Sequence, residues 1–212
     1  MLDLFLSAFV TLFLVIDPPG CAPIYAGLTS AATAVQARSM ALRATVIAGA
    51  ILLVFALFGE QLLGALHIEL DSFRIAGGIM LFVIALDMVF EKRTQRREER
   101  AEKVRAENAL TPEIDDVSVF PMAMPMIAGP GSIATMMLLM ARSKGTAETL
   151  VVLGALAAVL ALTAIALVAA RPLMKLLGAR VEAVLTRVLG VLLAALAAQF
   201  VIDGLRAVLK TI

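Results

Sequence analysis

Long apolar runs separated by short polar stretches dominate the pattern of the chain. Six of these runs each approach the roughly 20 residues that an α-helix needs to cross a bilayer. The predicted spans cover residues 4–28, 41–63, 73–90, 119–140, 149–170 and 183–205. Hydrophobic residues make up 61% of the chain and charged residues 17%, against about 25% charged in soluble domains. The pattern therefore predicts an all-α, polytopic membrane protein with six transmembrane helices.

Two of the apolar runs are interrupted by proline and glycine, at Asp17-Pro18-Pro19-Gly20-Cys21 and at Gly129-Pro130-Gly131-Ser132. Proline removes a backbone donor and glycine adds conformational freedom, so each motif should break its helix. The freed backbone groups are tolerated in a membrane only where protein or a watery cavity satisfies them. A packing kink is the alternative, but matched breaks in two halves of a chain favour a transporter's binding site.

Each break should also create a new helix N-terminus inside the membrane. We expect the half-helices to restart at Pro23 and near Ser132 or Ile133, because proline suits a first helical position and serine suits an N-cap. Such N-termini offer free N–H groups and a partial positive charge, which attract a carboxylate. The predicted solute-binding residues are Asp17, Pro19, Gly20, Cys21, Gly129, Pro130, Gly131, Ser132 and Gln199.

The two halves of the chain repeat one another. Pro19-Gly20 matches Pro130-Gly131 at an offset of 111, and Arg74-Ile75-Ala76-Gly77 matches Arg187-Val188-Leu189-Gly190 at an offset of 113. Each half holds three spans, and an odd number of spans forces the second half to run the opposite way through the membrane. We therefore predict inverted repeats at residues 1–90 and 119–212, each with a broken first helix, joined by a charged linker at 91–118.

The distribution of Lys and Arg predicts the orientation. The linker and the connections around Arg38 and Arg171 carry most of these residues, so we expect linker 91–118 in the cytoplasm and both termini outside. Residues 1–16 lack a basic start and a cleavage site, which favours a retained first helix over a signal peptide. The net charge of +1 gives no reason to expect a nucleic-acid partner.

Asp17 is the most deeply placed ionisable residue in the sequence. A carboxylate at that depth is costly unless it is paired or hydrated, which makes a functional role the default hypothesis. It could carry a coupling proton, bind a solute ammonium group, or cap the freed N–H groups beside it. Gln199 shares a helix face with Asp203 and could contact the solute, whereas Asp203 is close enough to the surface to be solvated.

The remaining candidate charges favour structural roles at the membrane boundary, although coupling stays open for them. Asp87 could pair with Lys92, and the equivalent residues Arg74 and Arg187 could pair with Asp71 and Glu182. Helix contacts of Gly49, Gly59 and Gly154 could lie within one chain or between chains of a homo-oligomer. One histidine and one cysteine make no conventional zinc site. No nucleophile or phosphate-loop motif is present, so neither an enzyme nor a cofactor is expected.

Several motifs together resemble the MarC family of bacterial inner-membrane proteins. They are Leu14-Val15-Ile16-Asp17-Pro18-Pro19-Gly20, Arg74-Ile75-Ala76-Gly77-Gly78, Ile84-Ala85-Leu86-Asp87, Phe120-Pro121-Met122-Ala123-Met124-Pro125, Ala128-Gly129-Pro130-Gly131-Ser132-Ile133-Ala134-Thr135, Gln199-Phe200 and Asp203-Gly204. The resemblance covers the chain outside the charged linker and implies six membrane helices. Some members are described as transporters of small neutral amino acids such as glycine and alanine. Cys21 stands where many relatives carry Asn, which implies a different selectivity here if that amide contacts the solute.

These observations predict a secondary transporter that moves a small neutral solute by alternating access, with a proton or cation as the coupling ion. The bilayer and a small amino acid are the expected partners. A solute or ion channel is one alternative, and a membrane scaffold that uses the charged linker is another.

Overall fold

The described part of the chain is helical. The computed structural model describes residues 1–90 and 116–211, except for the side chains of 175–180, 182, 210 and 211. The helices are α1 (Leu2–Ile16), α2 (Pro18–Leu28), α3 (Ala34–Ala65), α4 (Leu70–Val89), α5 (Ser118–Ile127), α6 (Pro130–Arg142), α7 (Thr146–Val168) and α8 (Ala170–Thr211). Most of the expected charged linker, residues 91–115, lies outside this description.

Five helical stretches are long and apolar enough to cross a membrane: Leu2–Leu28, Ala34–Ala65, Leu70–Val89, Thr146–Val168 and Ala183–Leu209. A sixth span is formed if α5 and α6, which meet at a bend of 54°, are counted together. The all-helical, polytopic architecture expected from the apolar runs is therefore confirmed, with one strongly bent pair in the second half.

The broken helices of each half pack on helices of the other half. Helices α1 and α2 contact α7, while α5 and α6 contact α3. In the same way α2 contacts α8, and α6 contacts α4. Each broken helix thus packs against helices from the opposite half of the chain.

Helices α4 and α8 form the most extensive helix pair and run antiparallel. A Cβ on Gly78 would lie 3.0 Å from the carbonyl oxygen of Ala197, and a Cβ on Gly190 would lie 3.1 Å from that of Ala85. Residue numbers rise along α4 as they fall along α8, which fixes the relative direction. Glycine is needed at both positions because the two backbones approach this closely.

Helix contacts are expected from the sequence for three glycines, Gly49, Gly59 and Gly154, and the structure divides them into two kinds. A Cβ on Gly49 would lie 3.1 Å from Leu160 Cδ1, and one on Gly59 would lie 2.6 Å from Met137 Cγ. These two glycines therefore serve contacts within the chain. Gly154 has no neighbouring atom within 4 Å of the equivalent position, so its face of α7 is open in the described structure.

Candidate functional site

A single residue, Asp17, separates α1 from α2 at the first break. Asp17 adopts a left-handed conformation (φ 58°, ψ 65°) that ends α1 and begins α2. Its N–H donates to the carbonyl oxygen of Phe13 at 2.9 Å, and its Oδ1 accepts from the N–H of Gly20 at 3.1 Å. The expected restart at Pro23 is wrong: α2 already begins at Pro18, and Pro23 lies inside it. The side chain of Asp17 supplies the cap that makes the earlier start possible.

The first break is also sealed from solvent. Asp17 is 1% exposed and Cys21 is fully buried. The Cys21 thiol lies 3.5 Å from the carbonyl oxygen of Ile16, to which it donates across the break. The break therefore satisfies freed backbone groups with its own side chains, in keeping with the requirement for a backbone interruption inside a membrane.

The second break is prepared by an irregular helix. In α5 the N–H groups of Met122 and Ala128 donate to carbonyls five residues earlier, at 3.3 and 2.9 Å, so the turns are wider than those of an α-helix. Phe120 and Met124 have extended backbone angles within α5. Each precedes a proline, which disfavours the α conformation in the residue before it.

Glycine is required where α5 gives way to α6. Gly129 caps α6, and a Cβ there would lie 2.4 Å from the carbonyl oxygen of Pro125. Helix α6 begins at Pro130, so the expected restart near Ser132 or Ile133 is wrong by two to three residues. Ser132 is buried in the first turn of α6 and does not cap it, because proline at the first position sets the helix start earlier.

The two breaks meet in the interior. A Cβ on Gly131 would lie 2.5 Å from Ile84 Cδ1, 3.5 Å from Val15 Cγ1 and 3.8 Å from Leu81 Cδ2. Val15 immediately precedes the end of α1, so the start of α6 abuts the first break. Apolar side chains therefore pack around Gly131 in the first turn of α6. At the second break Gly129, Gly131 and Ser132 are buried, whereas Pro130 between them is exposed.

One polar group in this interior lacks a partner. Thr135 lies one turn beyond Gly131 on α6 and is fully buried, and its hydroxyl has no hydrogen-bond partner within the described residues. A helical threonine ordinarily satisfies its hydroxyl with the carbonyl four residues earlier. A buried hydroxyl left without a bond costs about 1–3 kcal/mol. Thr135 is therefore a polar group available to a ligand that reaches the breaks.

At one end of the bundle, arginines from three helices surround a cavity of about 410 Å³. It is lined by Arg74, Arg142, Asp203, Arg206 and Ala207. Arg142 pairs with Asp203 at 3.3 Å. Arg74 pairs with Asp71 at 3.1 Å, the partner expected from the sequence.

Gln199 lies on the exposed face of α8, where its Nε2 donates to Asp203 Oδ1 at 2.7 Å. Its residue neighbour Phe200 points the other way and is buried in one cluster with Leu14 and Val15. The structure therefore associates Gln199 with the arginine-lined cavity and not with the two breaks.

At the other end, basic side chains hold loops and chain segments together. Arg171 of α8 donates to the carbonyl oxygens of Thr29 and Ala32, beyond the end of α2. Arg43 of α3 pairs with Asp116 at 2.7 Å. A cation near the carbonyl end of a helix also complements its dipole, so Arg171 secures α2 to the opposite half of the chain.

The Arg43–Asp116 pair lies in water-accessible surroundings before the start of α5. Partial burial alone would raise the pKa of Asp116. Hydrogen bonds from the side chain and backbone of Ser118, together with the Arg43 guanidinium, outweigh burial and hold this pKa below its usual value. The ionised carboxylate is therefore the form that the folded protein stabilises.

Two of the candidate charges cannot be matched with their expected partners. Asp87 is partly buried on α4 and Arg187 is exposed on α8, whereas Lys92 and the side chain of Glu182 lie outside the description. Among the described residues no three His, Cys, Asp or Glu side chains form a group that could hold a metal ion.

Sequence reasoning missed the importance of three residues. Sequence motifs give no reason to single out Arg142. The sequence predicts a solvated Asp203 and gives Thr135 only as part of a motif. The signal for the first two was present, because a cation that ends one span and an anion near the end of another are able to pair. The isolation of the Thr135 hydroxyl depends on its tertiary surroundings and leaves no mark in the sequence.

Comparison with known proteins identifies a family and relatives that match nearly the whole chain. Residues 2–209 match the model of the MarC family integral membrane proteins. A UPF0056 membrane protein of Methanocaldococcus jannaschii is 36% identical over 98% of both chains. The UPF0056 membrane protein YvbG of Bacillus subtilis is 32% identical over 97% of this chain and 96% of its own.

A third relative is the UPF0056 inner membrane protein YhgN of Escherichia coli, 30% identical over 97% of this chain and 98% of its own. No solved structure matches the chain. The family match extends over both breaks, the arginine-lined cavity and all the described helices except the last two residues of α8. The chain belongs to the MarC family of integral membrane proteins.

Proposed function

We propose that the protein is a secondary transporter that moves a small neutral solute by alternating access. Small neutral amino acids such as glycine and alanine are the proposed solute class, and Asp17 is the proposed carrier of a coupling proton. The observation that carries the proposal is the meeting of two interrupted spans in the interior, where the N-terminus of α6 abuts the end of α1. Helix N-termini at such breaks suit a carboxylate.

The packing of the two halves supports an inverted repeat. The antiparallel pair of α4 and α8 joins the last described span of one half to that of the other. In the first half α1 and α2 pack on α7, and in the second half α5 and α6 pack on α3. Two inverted copies would produce this reciprocal arrangement. If the halves exchange conformations, the site at the breaks is exposed to the opposite side, which is the basis of alternating access.

The burial of Thr135 supports a carrier that changes conformation. Ile84, Val15 and Leu81 pack around Gly131, and Thr135, one turn further along α6, is fully buried. A solute can therefore reach the Thr135 hydroxyl only after the packing around it changes, as a carrier does in each transport cycle. The buried hydroxyl of Thr135 then serves as a hydrogen-bond group for the solute in the opened state.

The proposed orientation keeps linker 91–118 in the cytoplasm and both termini outside. The Lys and Arg distribution assigns Arg74, Arg142 and Arg206 to the outer side, and these three residues line one cavity. A reporter that is active only outside the cytoplasm, fused after residue 212, should be active. An inactive C-terminal fusion with an active fusion in the linker would contradict the orientation.

Uptake of labelled glycine and alanine into proteoliposomes, with and without a pH gradient, tests the proposal. We expect saturable uptake, exchange by counterflow, and stimulation by the gradient. Asp17→Asn should abolish the stimulation, because asparagine retains the cap but cannot ionise. Flux that rises without saturation would assign a channel instead, and the absence of both uptake and counterflow in folded protein would overturn the proposed solute class.

Thr135→Val provides a second test that separates function from folding. The variant keeps the shape of the side chain and removes a buried hydroxyl that has no partner among the described residues, so its thermal stability should equal or exceed that of the wild type. Its transport should nevertheless fall. Normal transport by Thr135→Val and by a correctly inserted Gly131→Leu variant would show that the breaks take no part in transport.

A further inference from the structure

The arginine-lined cavity at the end of α4, α6 and α8 has a chemistry of its own. It lies apart from the breaks: Gly131 and Arg142 are eleven residues apart on α6, which is about 16 Å at 1.5 Å per residue. The hydrocarbon core of a bilayer is about 30 Å thick. A break near the midplane therefore places the cavity close to the membrane boundary, where soluble molecules arrive.

The charges around the cavity do not balance. Among the described residues, the cavity is lined by the guanidinium groups of Arg74, Arg142 and Arg206 and by the carboxylate of Asp203, and Asp71 pairs with Arg74. Three positive groups against two negative groups leave one positive charge. A single monovalent anion would neutralise this excess.

The two inner arginines are held in place for such a ligand. The Arg142 guanidinium lies 4.8 Å from the centre of the Phe200 ring and 3.3 Å from Asp203. Arg74 keeps only 16% of its side chain exposed, and its buried Nε–H has no acceptor among the described residues. A fixed guanidinium with donors to spare is the group that proteins use to bind carboxylates.

We propose that this cavity binds the carboxylate of a small soluble molecule, with Arg74 and Arg142 as its principal ligands. The volume of about 410 Å³ lies within the range of about 300–1,000 Å³ that is usual for small-molecule sites. The guanidinium N–H groups of Arg74 and Arg142 that line the cavity donate to the ligand carboxylate. Asp203 and Gln199 set the position of Arg142, and Asp203 competes with the ligand for it.

Binding of acetate to the full chain in phosphatidylcholine nanodiscs tests this site without any transport step. Saturation-transfer NMR during an acetate titration, with sodium chloride at constant ionic strength, should show saturable binding by the wild type. Arg142→Gln and Arg74→Gln should each weaken it about tenfold, which corresponds to about 1.4 kcal/mol. The matched control is Arg43→Gln, an arginine of another ion pair at the other end, which should bind acetate like the wild type.

Asp203→Asn gives the opposite sign and so excludes misfolding as an explanation. The variant removes the competing carboxylate, and acetate should bind severalfold more tightly. No saturable binding by the wild type, or equal weakening by Arg43→Gln, would overturn the proposal. Loss of acetate binding when the nanodiscs contain phosphatidylglycerol would assign the cavity to a lipid phosphate and would overturn it as well. Because acetate binding requires no transport, these outcomes are independent of the proposed transport function.

Discussion

Asp17 has two separable roles at the first break, a side-chain cap and a left-handed backbone, and substitution can measure both. Replacing Asp17 with alanine removes the hydrogen bond from Oδ1 to the N–H of Gly20. Loss of an N-cap costs about 1 kcal/mol. Alanine at position 17 must also adopt φ 58°. This left-handed conformation costs a residue without a short polar side chain about 1–2 kcal/mol. The opening of this break should therefore become easier by about 2–3 kcal/mol in Asp17→Ala.

Cys21 makes this opening measurable. It is the only cysteine of the chain, it is fully buried, and it lies in the first turn of α2. In the limit of rapid reclosing, the rate at which a thiol reagent labels Cys21 is proportional to the population of the open state. A change of 2–3 kcal/mol should then speed labelling by about thirtyfold to a hundredfold or more in Asp17→Ala.

Two further substitutions separate the cap from the backbone. Asparagine is both an effective N-cap and tolerant of the left-handed region, so Asp17→Asn should label within about threefold of the wild type. Glycine relieves the backbone cost and loses little as an N-cap, so Asp17→Gly should fall between them. Equal labelling rates for the alanine and asparagine variants would refute the reasoning, because neither the cap nor the left-handed backbone would then stabilise the break.

Three further predictions follow from contacts of the described residues. Gly129→Ala should lower thermal stability in detergent by about 1–3 kcal/mol, because its Cβ would meet the rigid Pro125 carbonyl. The Cβ of Gly131→Ala would meet only the movable end of the Ile84 side chain, so this variant should lose less stability. Equal losses of stability in the two variants would contradict this reasoning. Gly190→Ala should destabilise the α4–α8 pair, measured by thermal unfolding, while the control Gly154→Ala, with no atom within 4 Å, should not. Asp116→Asn should cost at most about 1 kcal/mol at pH 7, since the pair is exposed. Because the pKa of Asp116 is lowered by folding, the difference from the wild type should persist above its unfolded pKa and vanish as pH falls through the folded one; a difference that grows in acid would contradict the pairing.

The architecture could be predicted from the sequence because its cause is local. Apolar runs of bilayer length can satisfy their backbone in a membrane only as helices, which predicts a polytopic helical protein and the approximate positions of its spans. The two breaks could be located in the same way, since proline and glycine disturb a helix wherever they occur. The residue at which each half-helix restarts could not, because Asp17 and Gly129 begin their helices through a cap and a close carbonyl contact that the composition of the motif leaves open.

Only the tertiary structure brings the residues of the charged site together. Arg74, Arg142 and Asp203 belong to three helices far apart in the chain, and pairing of α4 with α8 and of α4 with α6 brings them to one cavity. The same packing isolates the Thr135 hydroxyl and presses Ile84 against Gly131. Hydrophobic runs and helix-breaking residues act on neighbours in sequence, so the positions of the spans and breaks can be predicted from the sequence. Ion pairing, burial and close packing act through space between distant residues, so the cavity and the closed interior follow only from the folded arrangement.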